Sequence, residues 1–162
     1  MAIKVGDTLP FDIKLKEMGD KGPQDVSVGD LFKGKKVVLF SVPGAFTPTC
    51  SMKHLPGFVE KAADIKGKGV DEIVCMAVND AFVMGAWGDH QKAHGKVRMV
   101  ADGNAQFTKA LGLELDASGF GMGTRGQRFA IVVRDGVATR VEVEQPGQFK
   151  VSAAEAILGQ LS

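Results

Sequence analysis

The sequence predicts an α/β protein of three layers, in which helices cover both faces of a central mixed β-sheet. Two observations lead to this fold class. Patterns typical of buried strands and of amphipathic helices alternate along the chain, and a hairpin followed by one more helix ends the series. The length of 162 residues suits a single domain over residues 1–162, which can bury a core without disulfides or metal ions.

The first predicted strand and helix lie on either side of a loop that contains prolines. Residues 36–42 (KVVLFSV) are apolar on both faces, as in a strand at the centre of a sheet. A helix is predicted over residues 48–66, where apolar side chains recur close to the helical period. Pro48 suits the first helical position and Thr47 its N-cap, whereas Pro56 is expected to kink the helix.

The remaining elements continue this alternation toward the C-terminus. They are a buried strand over 71–78, a helix over 79–94, a short strand over 97–103, a short helix over 104–111 and two strands over 128–134 and 137–143. The last two strands meet at Asp135-Gly136, which is typical of a two-residue hairpin turn. Ser152 is expected to cap a final helix ending near Leu158, with Glu155 completing a capping box. This order of elements suits a thioredoxin-like fold.

Composition and charge exclude several classes of partner. The 20 Lys and Arg residues balance 19 Asp and Glu residues without a block of like charge, which argues against nucleic acid and membrane surfaces. The longest apolar run, residues 73–78, is far shorter than the roughly 20 residues that span a bilayer. The sequence begins without a basic and apolar leader, and its two cysteines fit a reducing compartment, so we expect a cytoplasmic protein.

One segment, SVPGAFTPTCS at residues 41–51, carries the residues expected to do chemistry. It leaves the carboxyl end of a buried strand and opens a helix, which is where open α/β sheets place their sites. Cys50 falls in the first helical turn, where free backbone N–H groups and the helix dipole favour a thiolate. Thr47 can direct its hydroxyl toward the sulfur or an incoming oxygen. The competing interpretation is that Cys50 is a small buried apolar residue.

Spacing along the chain argues against two other thiol chemistries and against a metal site. A thiol phosphatase needs an arginine where Pro56 stands, and a dithiol oxidoreductase needs a second cysteine where Lys53 stands. His90 and His94 could share a helical face, but no third ligand lies nearby in the sequence. We therefore predict no metal ion.

Four stretches of the sequence resemble the peroxiredoxins, and among them the type-five subfamily, called type II in plants. The first holds the spacing Pro43-x-x-x-Thr47-x-x-Cys50 within VPGAFTPTCS. The others are CSMKHLPGF at 50–58, VNDAFVMGAW at 78–87 and RFAIVVRDG at 128–136. The similarity extends over about residues 5–161. It implies a thiol peroxidase that reduces hydrogen peroxide and alkyl hydroperoxides and needs no metal or organic cofactor.

The resemblance also implies a role for each matched residue. Cys50 matches the peroxidatic cysteine, whose thiolate attacks a peroxide oxygen and becomes a sulfenic acid. Pro43 matches the proline that shields this cysteine, and Thr47 matches the threonine that orients the peroxide. Arg128 matches the arginine that stabilises the thiolate and the developing negative charge. Backbone donors from Gly44 to Cys50 would complete the peroxide site.

The substrate pocket is expected to take further residues from two loops. Its predicted lining residues are Gly44, Phe46, Thr49 and Phe120. The GMGTRG sequence at 121–126 has the form of a dinucleotide-binding motif, but it precedes a strand instead of opening a helix. We interpret it as a loop that positions Arg128 and brings Phe120 to the pocket, with Arg125 solvated. His54 is expected to be partly exposed and not catalytic.

The resemblance leaves the recycling of the enzyme open. Many animal and fungal relatives carry a resolving cysteine at the position of Val151. Cys75 stands where plant type II members place theirs, but it falls on a predicted strand, where a cysteine usually packs in the core. Glutathione, with or without glutaredoxin, is the favoured reductant, and thioredoxin acting through a Cys50–Cys75 disulfide is the alternative. The resemblance implies a homodimer, and a single-turnover redox sensor is the competing function.

Overall fold

The computed structural model describes residues 2–161, and within them two β-sheets are flanked by short helices. The strands are β1 (Lys14–Gly19), β2 (Gly22–Ser27), β3 (Lys36–Ser41), β4 (Glu72–Ala77), β5 (Arg98–Ala101), β6 (Glu114–Asp116), β7 (Thr124–Gly126), β8 (Phe129–Arg134) and β9 (Val137–Val143). The α-helices are α1 (Val28–Phe32), α2 (Leu55–Glu60), α3 (Ala62–Lys66), α4 (Ala81–His90), α5 (Gln106–Ala110) and α6 (Ala154–Leu158). A π-helical turn occupies Cys50–His54, and a 3-10 turn occupies Ser118–Phe120.

The main sheet has seven strands in the order β2-β1-β5-β4-β3-β8-β9. β3, β4 and β5 run parallel, whereas β8 and β9 and the β1–β2 hairpin pair in antiparallel fashion. The sheet is therefore mixed, as predicted. Of the helices in the part of the chain that the structure describes, none is long and apolar enough to cross a membrane.

Helices cover both faces of the main sheet and divide the core into two clusters. Val38, Phe40 and Val42 pack on one face with residues of α2, α3, α4 and α6. Val37 and Leu39 pack on the other face with residues of α1 and α5. β3 is therefore buried on both sides, which is what its unbroken apolar sequence predicts.

The helix predicted after the proline-containing loop is broken into three pieces. It begins at Pro48 as predicted, but a π-helical turn follows, closed by the Leu55 N–H donating to the Cys50 carbonyl. Pro56 comes directly after this turn and has no N–H to donate, so the wider turn lies where a helical hydrogen bond is missing. A second break at Lys61 separates α2 from α3.

Several elements were not predicted from the sequence, namely β1, β2, α1, β6 and β7. β2 contains Gly22, Pro23 and Asp25, which are poor strand formers, and it forms because it pairs with β1 along its whole length at the sheet edge. β6 and β7 are only three residues each, too short to show a period.

Two local predictions near the C-terminus had opposite outcomes. Asp135 and Gly136 have φ values of 48° and 78°, which confirms the two-residue hairpin turn between β8 and β9. The capping box at Ser152 is wrong, because α6 starts after Ala153 without a side-chain cap. The Ser152 hydroxyl donates instead to the buried carboxylate of Glu144, at 2.7 Å.

Candidate active site

The loop over residues 42–49 is anchored at the carboxyl ends of β3 and β4. The Val42 N–H donates to the carbonyl of Met76 in β4 at 3.1 Å, and the Ala45 N–H donates to Asn79 Oδ1 at 3.0 Å. The Thr47 hydroxyl donates to the Gly44 carbonyl at 2.7 Å, instead of accepting from a helical N–H as its predicted N-cap role requires. The loop is thus fixed at the edge of the sheet where α/β proteins place their sites.

Cys50 and Arg128 are brought together although 78 positions separate them in the sequence. Ser41 at the end of β3 pairs with Phe129 at the start of β8, so Arg128 emerges beside the loop that leads to Cys50. Arg128 Nη2 donates to Cys50 Sγ at 3.2 Å, and the cysteine is fully buried. The guanidinium therefore presents a positive charge directly to the sulfur.

His54 is fully buried and bonded to Arg128, contrary to the expectation of a partly exposed side chain. Its Nδ1 lies 2.9 Å from Arg128 Nη1, and its Nε2 lies 3.0 Å from the Ser152 carbonyl oxygen. A guanidinium only donates and a carbonyl only accepts, so Nδ1 is the acceptor and Nε2 carries the proton. Burial and the nearby Arg128 charge lower the pKa of His54 to about 3, so the ring is neutral.

The loop residues around Gly44 are tightly packed. A Cβ atom on Gly44 would lie 3.0 Å from Arg125 Nη1 and 3.1 Å from Thr47 Cγ2, which explains why glycine occupies this position. Arg125 donates to the Pro43 carbonyl at 3.3 Å and to the Met122 carbonyl at 3.0 Å. The expectation that Arg125 is a solvated loop residue is therefore wrong, because its guanidinium joins the glycine-rich loop to the loop before Cys50.

The predicted pocket residues Thr49, Phe46 and Phe120 differ in how far the described chain buries them. Thr49 is half-buried in the first helical turn. Phe46 is 50% exposed, with a strained φ of 64°, and its ring lies near those of Trp87 and His90. Phe120 is 86% exposed at the end of the 3-10 turn, so the described chain covers little of its ring.

Cys75 lies at the centre of the main sheet, as its predicted strand position indicates. It is paired with Phe40 of β3 and Met99 of β5, and it is fully buried. Burial raises its pKa well above the ordinary value, the nearby Cys50 raises it further, and Arg128 opposes this only in part. Both cysteines are free thiols.

Known proteins resemble this chain over almost its full length. The sequence matches the Redoxin family over residues 4–158. It is 52% identical over 160 residues to Peroxiredoxin-2B of Arabidopsis thaliana, and the match covers 98% of each chain. The chain belongs to the peroxiredoxin family.

Two solved peroxiredoxin structures from Vibrio vulnificus agree with the fold. Reduced Prx3 in complex with hydrogen peroxide has a TM-score of 0.94 and 53% identity, with 99% of each chain covered. Oxidized Prx3 has a TM-score of 0.90 and 54% identity, covering 98% of this chain and 99% of that chain. The thioredoxin-like α/β fold predicted from the order of elements is confirmed. As a peroxiredoxin, the protein is a thiol-dependent peroxidase and hence an oxidoreductase.

Three residues behind the Cys50–Arg128 pair of this peroxiredoxin are not predicted from the sequence as part of the site. They are His54, Ser152 and Glu144, which continue the hydrogen-bond network behind the guanidinium. The histidine in CSMKHLPGF is a usable signal, because a helix that carries Cys50 in its first turn carries this histidine one turn after Cys50. No metal-ligating group of three or more His, Cys, Asp or Glu side chains is found among residues 2–161.

Proposed function

We propose that Cys50 is the peroxidatic residue of this enzyme and that its thiolate attacks the peroxide. The observation that carries the proposal is the 3.2 Å hydrogen bond from Arg128 Nη2 to Cys50 Sγ. A guanidinium stays protonated at any working pH, so it favours the thiolate over the thiol. Cys50 also lies in the first turn of its helix, where backbone N–H groups lack helical partners.

The proposed reaction is a two-electron transfer from sulfur to peroxide. The thiolate forms a bond to one peroxide oxygen as the O–O bond breaks, which leaves Cys50 as a sulfenic acid. The other oxygen leaves as hydroxide or alkoxide and takes up a proton to give water or an alcohol. Arg128 stabilises the negative charge that moves from the sulfur to this leaving oxygen.

Thr47, Pro43 and Gly44 are proposed to complete the peroxide site. The Thr47 hydroxyl donates its hydrogen bond to the Gly44 carbonyl, so the lone pairs of the hydroxyl oxygen are available to accept from the peroxide O–H. Pro43 is half-buried and held through its carbonyl by Arg125, which supports its role in shielding the sulfur from water.

We propose glutathione, with or without glutaredoxin, as the reductant. Val151 cannot resolve the sulfenic acid, and the Cys75 thiol is fully buried in the central sheet with a raised pKa. A first glutathione would attack the sulfenic acid, release water and leave a mixed disulfide on Cys50. A second glutathione would attack this disulfide, restore the Cys50 thiol and leave oxidised glutathione, whereas glutaredoxin would restore the thiol by taking the glutathione as its own mixed disulfide. Neither step requires β4 to move.

We also propose that the enzyme is a homodimer that pairs beside the active site. Four large apolar side chains, which we call the apolar rim, are exposed on segments next to Cys50. They are Phe46, Met52, Phe82 and Phe120, with exposed fractions of 50%, 75%, 64% and 86%. Exposed apolar groups on neighbouring segments are typical of protein interfaces.

The function is tested by following peroxide consumption with glutathione and glutaredoxin as donor. Hydrogen peroxide and an alkyl hydroperoxide are each given to the wild type, Cys50→Ser and Cys75→Ser. We expect the wild type and Cys75→Ser to consume many peroxide molecules per chain, and Cys50→Ser to consume none. Cys75→Ser is the matched control because it makes the same change at the other cysteine.

Each other outcome contradicts a different part of the proposal. Activity in Cys50→Ser would refute the role of Cys50. A folded Cys75→Ser that no longer turns over, with a wild type that accepts thioredoxin, would mean that a Cys50–Cys75 disulfide resolves the sulfenic acid. A wild type that stops near one equivalent with both donors would indicate a redox sensor.

A further inference from the structure

The C-terminal segment, residues 144–152, is joined to Arg128 by a continuous chain of hydrogen bonds. Glu144 Oε2 accepts from the Lys150 N–H at 2.7 Å, the Ser152 N–H at 2.9 Å and the Ser152 hydroxyl at 2.7 Å. The Ser152 carbonyl accepts from His54 Nε2, and His54 Nδ1 accepts from Arg128. This series of hydrogen bonds ends at the sulfur of Cys50.

We infer that Glu144 is a positioning residue for the reaction at Cys50: it fixes the Ser152 carbonyl, which fixes His54, which in turn orients the Arg128 guanidinium toward the sulfur. The inference rests on the proposed role of Cys50 and deepens it. Glu144 does not touch the reacting atoms. Its backbone N–H donates to the Arg128 carbonyl at 3.0 Å, and its carboxylate acts on the Arg128 guanidinium through Ser152 and His54.

The surroundings of Glu144 explain why its carboxylate has this effect. The side chain is only 8% exposed, and no ion pair is formed by it within the described residues. Its charge is balanced instead by N–H and O–H donors of the segment that it holds in place. Hydrogen bonds to an ionised acceptor are stronger than neutral ones, so three of them on one oxygen restrain Ser152 closely.

His54 cannot compensate if the Ser152 carbonyl moves. The proton on Nε2 would lose its acceptor inside the core, which is costly for a buried polar group. Moving the proton to Nδ1 would place it against the Arg128 donor, which has no lone pair to offer. Either change weakens the hold of His54 on the guanidinium.

Phe149 gives a second link between the C-terminal segment and the residues Arg128 and His54. Its ring lies 5.9 Å from the Arg128 guanidinium carbon and meets the His54 ring edge-on, with centroids 5.0 Å apart. Phe149 stands between Glu144 and Ser152 in the sequence, so the carboxylate that folds the segment also places this ring. Both links depend on Glu144.

The test replaces Glu144 with glutamine and measures the first step of the reaction directly. The rate of Cys50 oxidation by hydrogen peroxide is followed in single turnover, and the rate of Cys50 alkylation is followed against pH. We expect Glu144→Gln to slow oxidation by about tenfold or more and to move the alkylation profile to higher pH. Glu142→Gln, the same change two positions earlier in β9, is expected to match the wild type because its carboxylate faces Arg140.

A positioning role predicts that the effect of Glu144 passes through Arg128. Both changes are therefore repeated in an Arg128→Ala background, where Glu144→Gln is expected to cause no further slowing. An equal loss in both backgrounds, or a Glu144→Gln enzyme with wild-type rate and pH profile, would overturn the inference. If Glu144→Gln does not fold, Ser152→Ala, which removes only the hydroxyl donor, is compared in the same two backgrounds. A smaller loss of oxidation rate that occurs only where Arg128 is present supports the inference. Equal losses with Arg128 and with Arg128→Ala overturn it.

Failure of the proposed function gives a different result. If wild-type Cys50 is not oxidised by peroxide at all, the role of Cys50 is wrong. If the wild type reacts and Glu144→Gln reacts equally well, only the inference about Glu144 is wrong.

Discussion

His54 shows how a single buried residue ties local chemistry to the stability of the fold. Its ring packs against Phe40 and Phe149, and its two nitrogens have partners with fixed roles, a donor on one side and an acceptor on the other. A charged imidazolium would place a second proton against the Arg128 guanidinium in a site without water access. The neutral ring is therefore part of the folded state, and protonation of the unfolded chain competes with it.

We predict that His54 contributes to acid destabilisation. Its pKa is about 3 in the folded protein, below the ordinary 6.5, so between these values the unfolded chain binds the additional proton. The free energy of unfolding should therefore fall as the pH decreases from 6.5 toward 3, by up to about 1.4 kcal/mol per pH unit for this group. Urea unfolding of the wild type and His54→Gln over this range measures the contribution.

Glu144 also makes the free energy of unfolding fall as the pH decreases, but it is present in both the wild type and His54→Gln. Burial opposes its ionised form, but the hydrogen bonds from Ser152 and Lys150 outweigh burial and lower its pKa, so its contribution is lost as the pH falls through that lowered value. The difference between the two proteins therefore isolates His54. Equal pH slopes for the wild type and His54→Gln would contradict the prediction.

One arginine adds side-chain contacts between the β1–β2 hairpin and the rest of the main sheet. The backbone pairing between β1 and β5 has a single register pair, Lys16 with Ala101. Arg98 of β5 adds a forked contact, with Nε and Nη2 donating to the two carboxylate oxygens of Glu17 at 2.8 and 2.7 Å. Its Nη1 also donates to Glu72 of β4 at 3.2 Å, so one side chain links three strands.

We predict that Arg98→Lys loosens this hairpin. Lysine keeps the charge but cannot form the forked contact, so the free energy of unfolding should fall by about 1 kcal/mol. Amide hydrogen exchange in β1 should accelerate as well. Arg140→Lys is the control, since Arg140 makes a single 3.6 Å contact to Glu142. Equal stability of Arg98→Lys and the wild type would show that the backbone pairing and the buried side chains of Leu15 and Val26 hold the hairpin without the forked contact.

At the scale of the whole molecule, the apolar rim holds four of the seven large apolar side chains that are exposed among residues 2–161. Phe46 lies next to Trp87 and His90 of α4, and Met52 is one turn after the start of the site helix. Phe120 belongs to the loop that Arg125 ties to Pro43. The proposed dimer would therefore cover side chains that border the peroxide site, and pairing would limit water access to it.

We predict that a charge in the apolar rim converts the proposed dimer to a monomer. Phe120→Glu changes a side chain that is 86% exposed, so the monomer fold should be unaffected while association is lost. Val5→Glu is the control, because Val5 is 61% exposed and lies on the N-terminal turn that bonds to β9. Sedimentation velocity measures the two variants and the wild type. A monomeric wild type, or a Phe120→Glu dimer, would refute the proposed pairing.

The sequence alone determines those parts of the fold and site that depend on neighbouring residues. β3, β4 and β8 follow from local apolar runs. The Asp135-Gly136 turn follows from the backbone angles that these residues tolerate, and it indicates β9 as the second strand of the hairpin. The motif from Pro43 to Cys50 and the Arg128 segment are also contiguous stretches, so they can be recognised without coordinates. Short or edge elements such as β2 cannot be predicted in this way, because their sequence patterns are weak and their stability comes from pairing with a neighbouring strand.

The partners of Arg128 could be found only from the folded chain. His54 and Ser152 are 98 positions apart, and local sequence does not indicate that a carbonyl of one segment will meet a ring of another. The sequence around Ser152 is typical of a helix N-cap, but the Ser152 hydroxyl donates to the buried carboxylate of Glu144 instead. Burial turns a polar group from a solvated side chain into one that must have a partner, and burial is a property of the packed molecule.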